Sequence, residues 1–115
     1  YVNQALLDFI NKNKDQFTFG IISNNYRGAE ELLMSRFGIP KFYDIFVSSA
    51  DVGVLKPDKK IYEYAVEQLK VFPLECLFVD DVEINIAGAK SIGMQGIQYI
   101  DNPVFFKQFQ QALSL

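Results

Sequence analysis

The sequence has no histidine, no tryptophan and a single cysteine. Without histidine, neither Ser-His-Asp nor Cys-His chemistry can be assembled within the chain. A zinc site is disfavoured for the same reason. One cysteine, Cys76, excludes an internal disulfide and suits a reducing compartment, so a cytoplasmic setting is expected. No cluster of basic residues exists and the net charge is −3, so nucleic acid is not an expected partner. No apolar run approaches membrane-spanning length, and no signal-peptide pattern is present, so no membrane partner is expected either. Repeats and low-complexity tracts are absent. What remains is 115 residues, half of them hydrophobic, enough for one domain (1–115) with its own core. A metal held here would have carboxylates, carbonyls and water as ligands, which selects a hard cation, magnesium first. The chain opens on Tyr1 rather than methionine, and a fragment or processed piece is expected.

The most informative stretch is CLFVDDVEIN (76–85). A short apolar run, β-branched and aromatic, ends in two adjacent carboxylates, Asp80 and Asp81. The run reads as a buried strand, Leu77–Asp80, fenced upstream by Pro73. The acids then stand where that strand leaves its sheet, the edge at which open α/β sheets bind ligands. Two neighbouring carboxylates raise each other's pKa unless a positive group lies close. A metal ion or a lysine is the natural partner.

Read in order, the chain alternates. Val2, Ala5, Leu6, Phe9 and Ile10 recur at helical spacing. FTFGIIS (17–23) reads as a strand, followed by the capping residues Ser23, Asn24 and Asn25. A helix with Ala29, Leu32, Leu33 and Phe37 inside follows, stopped by Gly38 and Pro40. A second short strand is expected at Ile45–Ser48, then a loop over 50–56. Pro57 and Asp58 open a helix whose inner face is Ile61, Tyr62, Ala65, Val66 and Leu69. After the strand at Leu77–Asp80 comes a helix over 83–92, closed by Gly93. The last strand is expected over 96–100. Asn102 and Pro103 read as N-cap and N1 of a final helix. Its Phe105, Phe106 and Phe109 read as core before interface, but they cannot all face inward on one helix, which leaves a partner contact open. Tyr62 and Tyr64 divide into one core and one surface aromatic.

This α-β-α-β-α-β-α-β-α order implies right-handed crossovers and a mostly parallel sheet with helices on both faces. All strand C-termini then share one edge. That edge gathers Ser23 with a helix N-terminus, Lys56, and the acids Asp80 and Asp81. The Ser23 hydroxyl and the N–H groups at Asn24 and Asn25 suit phosphate oxygens. Lys56 supplies a point cation. Asp80 and Asp81 suit magnesium, and Asn85, one helical turn on, is placed to orient them. Each piece alone has a plain structural reading: a helix cap, a loop lysine before proline, a cap with a first-turn acid. Their co-occurrence at three strand ends carries the phosphate-site reading. Cys76 reads as a core residue.

Three segments in order resemble the haloacid dehalogenase-like hydrolases: GIISNN (20–25), GVLKPDKKIY (53–62) and CLFVDDVEINIAGAKSIGM (76–94). KFYDIFVSSADVG (41–53) resembles the phosphoglycolate-phosphatase-like branch. The resemblance covers roughly 17–100. It implies a Rossmann-like, three-layer αβα fold of α/β class with a mostly parallel sheet. It implies that Ser23 binds the transferring phosphoryl group, that Lys56 neutralises it, and that Asp81, with Asp80 beside it, holds Mg2+. The implied substrate is a small phosphorylated metabolite, attacked by an aspartate to give an aspartyl-phosphate that water hydrolyses. A minority of the family displaces halide instead.

The family nucleophile lies in an aspartate-x-aspartate motif ending the first strand, and no such motif occurs here. Asp8 falls in an amphipathic helix and Asp15 in a polar turn. The resemblance therefore implies a C-terminal portion, without the cap and without the central first strand, between the strands ending at Ser23 and Asp80. Such a chain is expected to be inactive alone and to need a second chain or an N-terminal segment to complete its sheet. Two other readings stand beside it: a non-catalytic magnesium- and phosphate-binding relict, and a receiver-like phospho-acceptor domain. The receiver order places acids first, whereas here serine precedes lysine and lysine precedes the acids.

Overall fold

Two parallel strand pairs form the centre of the molecule. The computed structural model describes residues 4–24 and 43–113. Helix α1 (Gln4–Lys12) leads into β1 (Gly20–Ser23), which pairs with β2 (Ile45–Ser48). A short α2 (Ser49–Val52) and a longer α3 (Lys59–Leu69) follow, then a 3-10 turn (Pro73–Glu75). Strand β3 (Leu77–Asp80), helix α4 (Glu83–Ser91), strand β4 (Gln95–Gln98) and helix α5 (Asn102–Leu113) complete the order. The expected helix bearing Ala29, Leu32, Leu33 and Phe37, with Gly38 and Pro40, lies outside the described residues, as does Asn25.

The expected parallel α/β arrangement is observed, and the differences from expectation are local. Strand β1 begins at Gly20 rather than Phe17. The Phe17 N–H is spent on the Asn13 carbonyl in the turn that closes α1. The Phe19 N–H is spent on the Asp44 carboxylate, 2.9 Å away. The loop expected over 50–56 starts as α2, whose cap Ser48 accepts from the Ala50 N–H. Asp58 caps α3 as expected, through the Lys60 N–H, and the helix itself begins at Lys59, two residues after Pro57. Strand β4 runs Gln95–Gln98 instead of 96–100, and α4 ends at Ser91, with Gly93 at a positive φ just beyond. At α5 the Asp101 carboxylate accepts from the Val104 N–H, so Asp101 takes the capping role expected of Asn102.

The core joins both strand pairs. Val47 on β2, Ile61, Tyr62, Ala65 and Val66 on α3, Phe78 on β3, Ile86 and Ala89 on α4, and Met94 form one cluster. Tyr62 is in the core and Tyr64 exposed, as expected. Cys76 is half-buried and packs against the cluster's margin, and burial pushes its thiol pKa up, with Glu75 adding to it. A second clasp links the chain's first and last helices. Phe9 on α1 stacks on Phe106 and meets Phe105 and Phe109 edge-on, and Phe17 meets Phe109 edge-on. All three phenylalanines of α5 thus find rings within the chain, because α1 supplies a second wall for the helix.

Among the described residues, β1 pairs with β2 and β3 with β4, and no ladder joins the pairs. Before β1 begins, the Phe19 C=O accepts from the Asp44 N–H. The hydrogen bonds between β3 and β4 decide which backbone groups of β3 face away. Cys76 and Asp80 carbonyls accept from Gln95 and Tyr99, so Leu77 and Val79 point away from β4.

Candidate functional site

The C-terminal ends of β1 and β3 converge on Lys56. Its ammonium lies 2.9 Å from Asp80 Oδ2, with the two side chains only 12% and 8% exposed. The same ammonium stands 5.8 Å from the centre of the Phe78 ring. At the end of β1, Asn24 Oδ1 accepts from the Lys56 N–H at 2.8 Å, and Asn24 Nδ2 donates to the Lys56 carbonyl at 3.3 Å. One residue between α2 and α3 thus spans from one strand pair to the other.

Asp80 is the most heavily bonded acid of the edge. Oδ2 accepts from Lys56 and, at 3.2 Å, from Asn85 Nδ2; Oδ1 accepts from the Val82 N–H at 2.8 Å. Burial alone would raise its pKa. The Lys56 hydrogen bond, the Val82 N–H, the Lys56 charge and a bond with Asp81 outweigh burial and hold the carboxyl below its ordinary value. Asp81 lies exposed beside it, its carbonyl accepting from Gln98 Nε2 at 3.2 Å. Asn85 is buried in the first turn of α4.

Of the residues singled out from sequence, the structure brings Lys56, Asp80, Asn85 and Asn24 into one bonded chain. Ser23 ends β1 next to Asn24, in register with Ser48. Sequence reasoning placed Tyr62 in the core but missed its part in the site. It is fully buried, meets Phe78 edge-on, and donates its hydroxyl to the Asn85 carbonyl at 2.8 Å. The signal was available: a tyrosine on an otherwise apolar helix face needs a buried acceptor. Burial first, and the Asp80 charge second, push its pKa up to about 12. Gln98 was also missed, and no local pattern announces it.

Among the described residues no group of three or more histidine, cysteine, aspartate or glutamate side chains is arranged to hold a metal ion. Asp80 and Asp81 are the adjacent carboxylates on this edge that could hold a metal. That number fits magnesium, which binds through one or two carboxylates and completes its octahedron with water and phosphate oxygens.

The fold and this edge define a class, and the chain belongs to it: residues 3–93 match the family model of the haloacid dehalogenase-like hydrolases. An uncharacterised hydrolase of Schizosaccharomyces pombe is 32% identical over 120 residues, covering 96% of this chain and 52% of its own. The Escherichia coli pyrimidine 5'-nucleotidase YjjG is 36% identical over 62 residues, 54% of this chain and 28% of that protein. The chain thus spans about half or less of the length of these relatives. Among solved structures, a haloacid dehalogenase family enzyme of Bacteroides thetaiotaomicron, in complex with magnesium and inorganic phosphate, superposes with a TM-score of 0.78. It is 20% identical, over 91% of this chain and 58% of that one. No helix among the described residues is long and apolar enough to cross a membrane.

Proposed function

We propose that this chain carries the phosphate- and magnesium-binding side of a phosphatase acting on small phosphate esters. The observation that carries it is the convergence of Lys56 and Asp80, with Asp81 adjoining, at the ends of β1 and β3. Support comes also from the nucleotidase activity named for the E. coli relative and from the magnesium and phosphate bound by the Bacteroides enzyme. In this reading Ser23 and the N–H groups after it hold phosphoryl oxygens, Lys56 offsets their charge, and Asn85 fixes the Asp80 carboxylate. Magnesium, when bound by Asp81 and Asp80, supplies charge stabilisation for the phosphoryl oxygens. The half-buried Cys76 suits a cytoplasmic, reducing setting.

The nucleophilic aspartate comes, in this reading, from a strand outside these 115 residues, on a second chain or an N-terminal segment. Leu77 and Val79 on β3 direct backbone groups away from the ladder with β4. The strand ends stand close enough to share Lys56. A parallel strand between them would pair both edges. An assay of the isolated chain on p-nitrophenyl phosphate with magnesium is expected to show no turnover, while inorganic phosphate binds in a magnesium-dependent way that Asp81→Asn abolishes. Robust turnover lost in Asp81→Asn would overturn the external nucleophile. Absence of phosphate binding would overturn the site.

A further inference from the structure

We infer that Asn24 is a positioning residue that acts through Lys56 and that its side chain does not itself hold the ligand. The inference rests on the phosphate-site reading for its functional meaning and on geometry for its mechanism. Asn24 follows Ser23 at the end of β1, where a polar side chain beside a phosphate site would ordinarily be assigned to the phosphate. Its carboxamide is already engaged at both ends. Oδ1 accepts from the Lys56 N–H at 2.8 Å and Nδ2 donates to the Lys56 carbonyl at 3.3 Å. The side chain thus pairs with residue 56 as a neighbouring strand would, satisfying a donor and an acceptor in a loop that lacks a ladder.

The consequence runs along the lysine. Residue 56 lies between α2 and α3, outside regular secondary structure, and 32 residues after Asn24. Fixing its backbone at the end of β1 fixes the origin from which the long, flexible side chain reaches Asp80. A lysine stem has many rotamers, and anchoring its backbone reduces the positions the ammonium can occupy. Asparagine fits this task in a way its neighbours in chemistry do not. Aspartate keeps the acceptor for the Lys56 N–H but sets an oxygen against the Lys56 carbonyl. Alanine removes both bonds. The ligand at this strand end is then left to the backbone N–H groups, the Ser23 hydroxyl and the Lys56 ammonium.

A double-mutant cycle on the 115-residue chain separates an indirect role from a direct one. Binding of inorganic phosphate with magnesium present is measured for the native chain, Asn24→Ala, Lys56→Ala and the double variant. Asn24→Ala is expected to weaken binding roughly fivefold, the scale of one or two net hydrogen bonds. Lys56→Ala weakens it further, and the double variant binds no more weakly than Lys56→Ala alone. Independent, multiplying losses would overturn the inference. Hydrogen exchange at the Lys56 amide gives a readout that does not depend on phosphate. It is expected to accelerate in Asn24→Ala and to stay slow in Asn24→Asp, which retains the acceptor and serves if the alanine variant fails to fold. Unchanged Lys56 exchange in Asn24→Ala, or fast exchange in a folded Asn24→Asp, would overturn the clamp. If the native chain binds no phosphate, the site reading falls, and the exchange measurement still decides whether Asn24 holds Lys56.

Discussion

Replacing Tyr62 with phenylalanine removes one oxygen from the middle of the molecule and makes a prediction that changes sign with pH. The ring stays packed against Phe78, 5.2 Å between centres and nearly perpendicular. What is lost is the 2.8 Å hydrogen bond to the Asn85 carbonyl. A buried bond of this kind is worth about 1 kcal/mol net, so Tyr62→Phe should be less stable by about that much near neutral pH. The hydroxyl also titrates. Its pKa stands at about 12 in the folded chain, against about 10 for an ordinary tyrosine. Between those values the unfolded chain releases the proton and the folded chain keeps it. Native stability therefore falls as pH rises, by about 1.4 kcal/mol per unit. The phenylalanine variant has no such proton to lose. Its deficit should vanish near about pH 11 and reverse above it. Urea unfolding of both proteins, followed by circular dichroism across this range, is the assay; all other titrating groups are shared. A stability difference that stays constant from neutral to alkaline pH would refute the burial of this hydroxyl beside Asp80.

Two further perturbations test the same centre. The lowered pKa of Asp80 means that its stabilisation is present above the ordinary aspartate value of about 4 and is lost as pH falls through the folded value. Lys56→Met removes the charge and hydrogen bond that oppose burial. Thermal unfolding should show this variant weakened at neutral pH, with the gap to the native chain narrowing on acidification; a gap that widens would contradict it. Gly88→Ala should destabilise by about 1–3 kcal/mol in urea despite the better helix former. A Cβ there would lie 2.7 Å from the Pro57 carbonyl oxygen and 2.9 Å from Tyr62 Cε2. A variant as stable as the native chain would mean that α4 does not approach Pro57 so closely.

Local signals carried the fold well where the chain repeats them and poorly where tertiary partners intervene. The run before Asp80 is β-branched and aromatic, and β3 ends where expected. FTFGIIS looks equally strand-like, yet its first residues serve α1 and Asp44 before the ladder begins. Helix α2 is one turn long, too short for periodicity to register, although Ser48 is a good cap. At the site, the meeting of Lys56 with Asp80, and Asp81 beside it, was legible because residue type and strand end agree. Asn85 was legible from helical spacing. The Asn24–Lys56 pairing was not, because it joins loop ends far apart in sequence by side-chain geometry alone. The role of Tyr62 was hidden for a related reason: helical periodicity reports the face a residue occupies, not the acceptor its hydroxyl finds.

The charge inventory of the edge connects the divided sheet to the proposed chemistry. Among the described residues Lys56 is the cation in contact with Asp80, and Asp81 adjoins, so there one ammonium stands against two carboxylates. With so little exposure of Lys56 and Asp80, their attraction is weakly screened, and with the Asn24 bonds to Lys56 it links the ends of β1 and β3, between which no ladder runs among the described residues. A phosphate brought to the same place adds negative charge, and a nucleophilic carboxylate would add more. Lys56 cannot offset all of these while it stays paired with Asp80. Either the lysine turns from Asp80 toward the phosphate, or a divalent cation takes its place beside the acids. The second course frees Lys56 at the moment the phosphate needs it, and it uses the two carboxylates as the ligand pair that magnesium accepts. Phosphate and magnesium binding should therefore be mutually reinforcing in this chain, each strengthening the other by the same factor.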